Sequence, residues 1–198
     1  MNLLVLGPQG AGKGTQAKRI SLEYGIPHVS TGDMFRALDE ATELGRKVRA
    51  IMDSGTLVPD EVTIAMIADR LAQPDAQDGF VLDGFPRNLA QADALDEMLA
   101  GIGRGLDAIL FFDVPDAVGL ERALKRAELE GRSDDTPEVI ARRLDVYHSE
   151  TEPIVEHYRA TGKLVPLHAE RTVEEVWREI SDSLQQVEVG VGSTEPKE

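Results

Sequence analysis

The chain has 198 residues, 41 % of them hydrophobic and 29 % charged, with a formal net charge of -15 and no cysteine. This length and balance predict one α/β domain with inserts, while the missing cysteines exclude disulfides and cysteine-held zinc or iron–sulfur centres. The acidic surplus argues against a general nucleic-acid or anionic-membrane binder, no apolar run approaches the ~20 residues of a membrane helix, and the N-terminus enters a strand with no room for a signal peptide, so a cytoplasmic protein is expected.

Leu3 to Leu6 is a short apolar run that ends at Gly7, and Gly10, Gly12, Lys13, Gly14 and Thr15 follow. A buried strand that breaks into a glycine-rich turn and then opens a helix has the pattern of the phosphate-cradling P-loop. The glycines let several backbone N–H groups converge on one anion, and the helix starting near Lys13 turns its positive end to the same point. Lys13 adds a mobile charge for β/γ-phosphates, and Thr15 offers a hydroxyl near a metal. The literal motif has Ser or Thr directly after the lysine; here Gly14 intervenes. The alternative, a glycine-rich turn with a surface lysine, does not account for strand, glycine spacing, lysine and helix arriving together.

Gly12 to Tyr24 reads as a helix and His28-Val29 as a short second strand. Residues 30–58 are mostly helical and polar: Ser30-Thr31-Gly32-Asp33 can cap a helix carrying Met34, Phe35 and Arg36, and another runs from about Thr42 to Met52. Asp60 caps the next, with Val62, Ile64, Met66, Ile67 and Leu71 on its apolar side. Phe80 to Leu82 is a third strand leading into Asp83-Gly84-Phe85-Pro86-Arg87, followed by a helix from Leu89 to Leu99. Ala108 to Val114 is the fourth strand, and Asp116 caps a helix through about Leu129. Gly131 to Asp135 breaks the pattern, and Pro137 opens a long helix to about Arg159. Leu164 to Leu167 is the fifth strand. Thr172 caps a last helix with Val173, Val176, Trp177, Ile180 and Leu184 inward, and a polar tail from Gly190 to Glu198 is expected to be disordered. Strands alternating with helices predict a parallel sheet covered on both faces, with ligands beyond the carboxyl ends of its strands.

Asp83 directly follows a buried strand, where P-loop proteins commonly place an acid that holds magnesium directly or through water; ordinary Asp-Gly turn chemistry is the alternative. Arg87 follows a proline-stiffened turn that aims it over the same rim, against the alternative of a solvated arginine. Arg122, Lys125, Arg126, Arg132, Arg142 and Arg143 gather around the break at Gly131. Two helices joined by a short polar turn would carry these cations as a flap, and guanidinium groups suit the charge of a phosphoryl group in flight. Solvated helix faces paired with Glu121, Glu128 and Glu130 are the alternative, above all for Lys125 and Arg142. His28, His148, His157 and His168 show no metal-ligand spacing and are read as structural.

The segments GPQGAGKGTQ, STGDMFR, GTLVPDE, DGFPRNLAQ and ERALKRAELEGRSDD…RR, in this order and over nearly the whole chain, resemble adenylate kinases, the short-lid form of the nucleoside monophosphate kinase family. The resemblance implies a P-loop three-layer α/β fold with a five-stranded parallel sheet covered by helices on both faces. It divides the chain into a core of residues 1–29, 59–124 and 136–189, a mobile nucleoside-monophosphate-binding insert at 30–58 and a short mobile lid at 125–135. It implies reversible, Mg2+-dependent transfer of the γ-phosphoryl of ATP to AMP, giving two ADP, by a monomer. Carried over by position, Gly10, Ala11, Gly12, Lys13, Gly14 and Thr15 cradle the ATP phosphates, with Thr15 and Asp83 toward the metal. Thr31 and Arg36 hold AMP, Thr56, Leu57 and Val58 line its adenine, Gly84, Phe85, Pro86 and Arg87 contact it, and Gln91 reads its base edge. Arg122 and Arg126 serve ATP and the transferring phosphoryl, Arg132 and Arg143 bridge both nucleotides, and Arg171 meets the ATP base through its backbone. The lid has neither the length nor the cysteines of zinc-carrying relatives, so no structural zinc is expected. Gln9 stands where the family usually has proline and is expected to loosen the loop.

The nearest rival is a UMP/CMP kinase on the same scaffold, against which the Thr31 and Gln91 positions favour AMP. A regulatory GTPase predicts Ser or Thr directly after Lys13 and an Asn-Lys-x-Asp guanine reader, and the sequence has neither. A nucleotide-binding scaffold without catalysis would not need six cations around the lid.

Overall fold

Alternation along the first strand decides the layering. In β1 (Asn2–Leu6), Leu3 and Val5 face one layer while Leu4 and Leu6 face the other. The computed structural model describes residues 1–130 and 135–191. The remaining strands are β2 (His28–Ser30), β3 (Phe80–Asp83), β4 (Ala108–Asp113) and β5 (Leu164–His168). They form a five-stranded sheet in the order β2-β3-β1-β4-β5, and every pairing is parallel. With β1 central, connections leave the carboxyl edge toward both sides and open a crevice there.

The helices are α1 (Lys13–Tyr24), α2 (Thr31–Arg36), α3 (Glu43–Ser54), α4 (Asp60–Leu71), α5 (Leu89–Gly101), α6 (Asp116–Glu130), α7 (Pro137–Val146), α8 (Pro153–Arg159) and α9 (Val173–Val191). On one face, Ala17 and Ile20 of α1 and Val176, Ile180 and Leu184 of α9 bury Leu3, Val5, Leu110 and Phe112. On the other, Ile67 and Leu71 of α4, Leu95 and Leu99 of α5, and Ile154 and Tyr158 of α8 bury Leu4, Leu6, Leu82 and Ile109. Each such Val, Leu, Ile or Phe side chain contributes about 1.5–3 kcal/mol by leaving water. A third, smaller cluster of Val48, Met52 and Val58, with Phe35, Leu38 and Ile51 against it, gives residues 30–58 a core apart from the sheet.

Four local expectations are corrected. Asp60 is the first residue of α4 and Pro59 its N-cap; the Asp60 carboxylate instead accepts hydrogen bonds from Asn88 and Gln91. The single long helix expected after Pro137 is interrupted by a π turn at Tyr147–Thr151. Pro153 lacks an N–H and its ring collides with the carbonyl four residues back. The widened turn absorbs this, with the Glu152 N–H donating to Tyr147 O at 2.8 Å, five residues back. The last helix runs to Val191, so Gly190 and Val191 belong to it rather than to a tail. Val173 is exposed at the cleft instead of facing inward, and Trp177 is half-buried with the Arg19 guanidinium 4.4 Å above its ring. Among the described residues, no helix is long and apolar enough to cross a membrane.

Candidate active site

After Gly7 the backbone turns through Gly10 and Gly12, whose φ angles are +79° and +87°, and α1 opens at Lys13. Ser30, Thr42, Asn88 and Thr136 each cap their own helix through a side-chain oxygen, but Gly12 supplies none to α1. The first N–H groups of α1 therefore face the cleft uncapped, at the positive end of the helix, which is the arrangement an anion needs. A β-carbon on Gly10 would collide with the carbonyl of Gly119, and one on Gly119 would lie 2.8 Å from Gln9 O. Backbone thus packs on backbone, and α6, which carries Arg122 and Arg126, lies directly against the loop.

Cations from four elements meet at this point. Lys13 Nζ donates to Pro8 O at 2.7 Å. Burial pulls its pKa down to about 8, with the nearby Arg87 and Arg126 charges adding to the fall and Asp83 opposing it. Burial alone would push the Asp83 carboxyl up, but the hydrogen bond from His28 and the charge of Lys13 hold it below the usual carboxylate range. Asp83 Oδ2 lies 3.4 Å from the place a β-carbon on Gly14 would take, close under the first turn of α1. Arg87 Nε donates to Gly84 O at 2.7 Å, and burial, aided by the Arg143 charge, lowers the Arg87 pKa against the pull of Asp83.

Arg126 of α6 and Arg143 of α7 share one acceptor. Arg126 donates to Asp135 Oδ2 at 2.6 Å and Arg143 donates to Asp135 Oδ1. Gln9 Nε2 reaches the same Oδ1 at 3.0 Å, so the loop expected to be loosened by Gln9 is tied by it. The Asp135 side chain has no exposed surface. Arg143 also donates to Met52 O at 3.0 Å, joining α7 to α3. Arg122 donates to the carbonyls of Ala169, Glu170 and Arg171 at 2.6, 2.8 and 3.3 Å, fixing the turn before α9.

Lys13, Asp83, Arg87, Arg122, Arg126 and Arg143 line one cleft of about 750 Å³. Of the residues singled out in the sequence, Gly10, Ala11, Gly12, Lys13, Gly14, Thr15, Thr31, Arg36, Thr56, Leu57, Val58, Asp83, Gly84, Arg87, Gln91, Arg122, Arg126, Arg143 and Arg171 lie on its wall. Phe85 and Pro86 are not on that wall: both are buried behind the turn, where Phe85 joins the sheet core. Lys125 and Arg142 are exposed and off the cleft, as their solvated alternative has it. Arg132 lies outside the described residues.

Gln91 is 1 % exposed and its amide is oriented by two partners. Its Oε1 accepts from the Arg87 N–H at 2.8 Å and its Nε2 donates to Asp60 Oδ1 at 2.7 Å. One N–H and one lone pair remain for a ligand. Sequence reasoning missed four residues here: Asp60, Asp135, the Gln9 link, and His28, whose Nε2 sits 3.3 Å from Asp83 Oδ2 on the cleft wall. His148, His157 and His168 instead pair with carboxylates elsewhere on the molecule.

An anion nest under one lysine, facing arginines brought from three helices and a turn, can hold polyphosphate and a second anionic ligand in line with it. The family model described as adenylate kinase matches residues 5–163 of the chain. The chain is similar to an adenylate kinase of Streptomyces avermitilis, with 46 % identity over 213 residues covering 93 % of this chain and 97 % of that protein. One from Thermobifida fusca is 51 % identical over 177 residues, covering 89 % and 94 % respectively. One from Archaeoglobus fulgidus is 44 % identical over 215 residues, covering 94 % and 99 %.

Proposed function

The chain belongs to the adenylate kinase family and is a nucleoside monophosphate kinase that moves a phosphoryl group between ATP and AMP; we propose that the transfer takes place in this cleft, between a donor on the P-loop and an acceptor held by residues 31–91. The observation that carries the reading is the uncapped N-terminus of α1 in the same cleft as Lys13, Arg87, Arg126 and Arg143.

In the proposed reaction an oxygen of the AMP phosphate attacks the γ-phosphorus of ATP in line, and the bond to the β-bridging oxygen breaks. The acceptor phosphate is already anionic, so no side chain need act as nucleophile or base. The protein's work is positioning and charge. The α1 N–H groups and Lys13 hold the β- and γ-phosphates. Arg36 and Arg87 hold the AMP phosphate. Arg126 and Arg143, and Arg132 beyond the described residues, meet the charge that grows on the equatorial oxygens. Arg122 keeps the turn of residues 169–171 in place beneath the donor base. Thr31 and the Thr56–Val58 stretch enclose the acceptor base, and Gln91 offers it one donor and one acceptor.

Magnesium fits the donor set. Thr15 and Asp83 supply hard oxygen ligands beside the α1 N-terminus, and among the described residues there is no cluster of three or more metal-ligating side chains, so nucleotide phosphates and water would complete the shell. When bound as Mg-ATP, the ion would neutralise charge on the β- and γ-oxygens. We also assign segment 30–58 and the described part of the lid, residues 125–130 and 135, as the two mobile parts, residues 131–134 of the lid lying outside the described residues, and a monomeric cytoplasmic enzyme as the working form. ADP formation from ATP and AMP, followed by a coupled assay with magnesium and again after chelation, tests this reading. No ADP with magnesium present would overturn it, and equal rates for CMP or UMP would overturn the choice of AMP as acceptor.

A further inference from the structure

Gln9 sits at the tip of the phosphate loop, and its side chain leaves that loop entirely. The amide nitrogen crosses to Asp135 Oδ1 at 3.0 Å, spanning 126 positions of sequence. Asp135 stands just before α7, and its fully buried carboxylate also receives Arg126 and Arg143. A carboxylate has about four acceptor positions, so three donors can share it without competing. The contact is possible because the loop and α6 meet without intervening side chains: a β-carbon at Gly119 would stand 2.8 Å from Gln9 O and push the loop away. Gln9 Oε1 and Arg126 Nε are both buried with no hydrogen-bond partner among the described residues. The amide is thus held from its nitrogen end alone, and turning it over would set oxygen against carboxylate.

Resting on the functional reading above, we propose that Gln9 is a positioning residue for phosphoryl transfer: it ties the phosphate loop to Asp135 and, through that carboxylate, sets Arg126 and Arg143 in register with the bound phosphates. The two arginines take their direction from Asp135, and Asp135 takes its distance from the loop through Gln9. The link joins the two sides of the reacting centre, donor phosphates on one and transition-state cations on the other. Its loss leaves nucleotide binding nearly intact while blurring the alignment that matters only during transfer.

The test is a double-mutant cycle with Gln9→Leu, which keeps bulk and removes the donor, and Asp135→Ala, which removes the acceptor. Steady-state kinetics of Gln9→Leu should show kcat reduced about fivefold to twentyfold, with KM for ATP and for AMP within about twofold of wild type. In the Asp135→Ala background the same change should lower kcat by less than about twofold, because the link is already gone. Thermal unfolding identifies any variant that does not fold, and Gln9→Asn, whose amide is one methylene short of the carboxylate, then takes the place of Gln9→Leu in the cycle. A Gln9 variant with wild-type kcat overturns the proposal, as does an equal loss in both backgrounds. Wild-type protein that forms no ADP overturns the functional reading and this proposal with it, whereas an active wild type with an unresponsive Gln9 overturns this proposal alone.

Discussion

The ammonium of Lys13 and the carbonyl oxygen of Pro8 are hydrogen-bonded at 2.7 Å, so the loop's own backbone holds its cation over the anion nest. The contact does not compensate for burial, and the Lys13 pKa falls to about 8. An unfolded lysine keeps its proton to about 10.4. Between these values the unfolded chain holds more protons than the folded one, so the Lys13 contribution makes stability rise with pH across that window. Phosphates reverse the shift by favouring the charged form. ATP binding near pH 9 should therefore take up close to one proton, read by calorimetry in buffers of different ionisation enthalpy. In Lys13→Arg, whose guanidinium stays charged, the uptake should vanish. Equal uptake by both proteins would show that another group carries the proton.

Arg126 holds the buried carboxylate of Asp135 from a position on the cleft wall. If its main work is on the charge of the transferring phosphoryl, Arg126→Ala should lower kcat by about 10³ or more, with much smaller changes in KM. A variant with normal kcat would remove Arg126 from the reacting centre.

Gly84 has a φ of +83°, and a β-carbon there would lie 2.5 Å from Thr31 Oγ1. Gly84→Ala should cost about 1–3 kcal/mol of stability, because the left-handed backbone is strained and Thr31 must move. With Thr31 on the acceptor side, as proposed, KM for AMP should rise while KM for ATP holds. Denaturant melts and kinetics with each nucleotide varied separate the two effects.

The Asp60 carboxylate accepts from Gln91 Nε2 at 2.7 Å and, with the Arg87 N–H on Oε1, fixes the direction of the Gln91 amide. Asp60→Leu leaves Gln91 Nε2 without its acceptor and the amide held from its oxygen end alone. The ratio of kcat/KM for AMP to that for CMP should then fall about tenfold or more, since a site built to pair with polar groups discriminates through them. An unchanged ratio across a panel of nucleoside monophosphates would place base selectivity elsewhere.

The local features were legible because their signals are local. A four-residue apolar run, glycines at fixed offsets and a lysine opening a helix describe the P-loop within residues 2–16, and the strand–helix alternation describes the parallel sheet. The pairings that orient the cleft were not. Gln9 meets Asp135 across 126 positions and Gln91 meets Asp60 across 31, and neither leaves a periodicity to read. His28 looked structural because nothing near it in sequence shows that β2 lies beside β3, with Ser30 in register with Asp83. Nor does the run Gly84-Phe85-Pro86-Arg87 show by itself that strand-end geometry sends Gly84 and Arg87 to the cleft and Phe85 into the core.

The widened turn at Tyr147–Thr151 separates two segments with unrelated duties. Upstream stands Arg143; within the turn Thr151 Oγ1 donates to Arg87 O at 2.7 Å; downstream Tyr158 fills the sheet core. One surplus residue advances everything beyond it by about 100° around the axis. The rod therefore works like a keyed shaft with its teeth cut at two phases. Deleting a single residue there would regularise the spiral and yet spoil the machine: once Tyr158 is seated, Arg143 and the Thr151 hydroxyl that meets Arg87 both come out rotated.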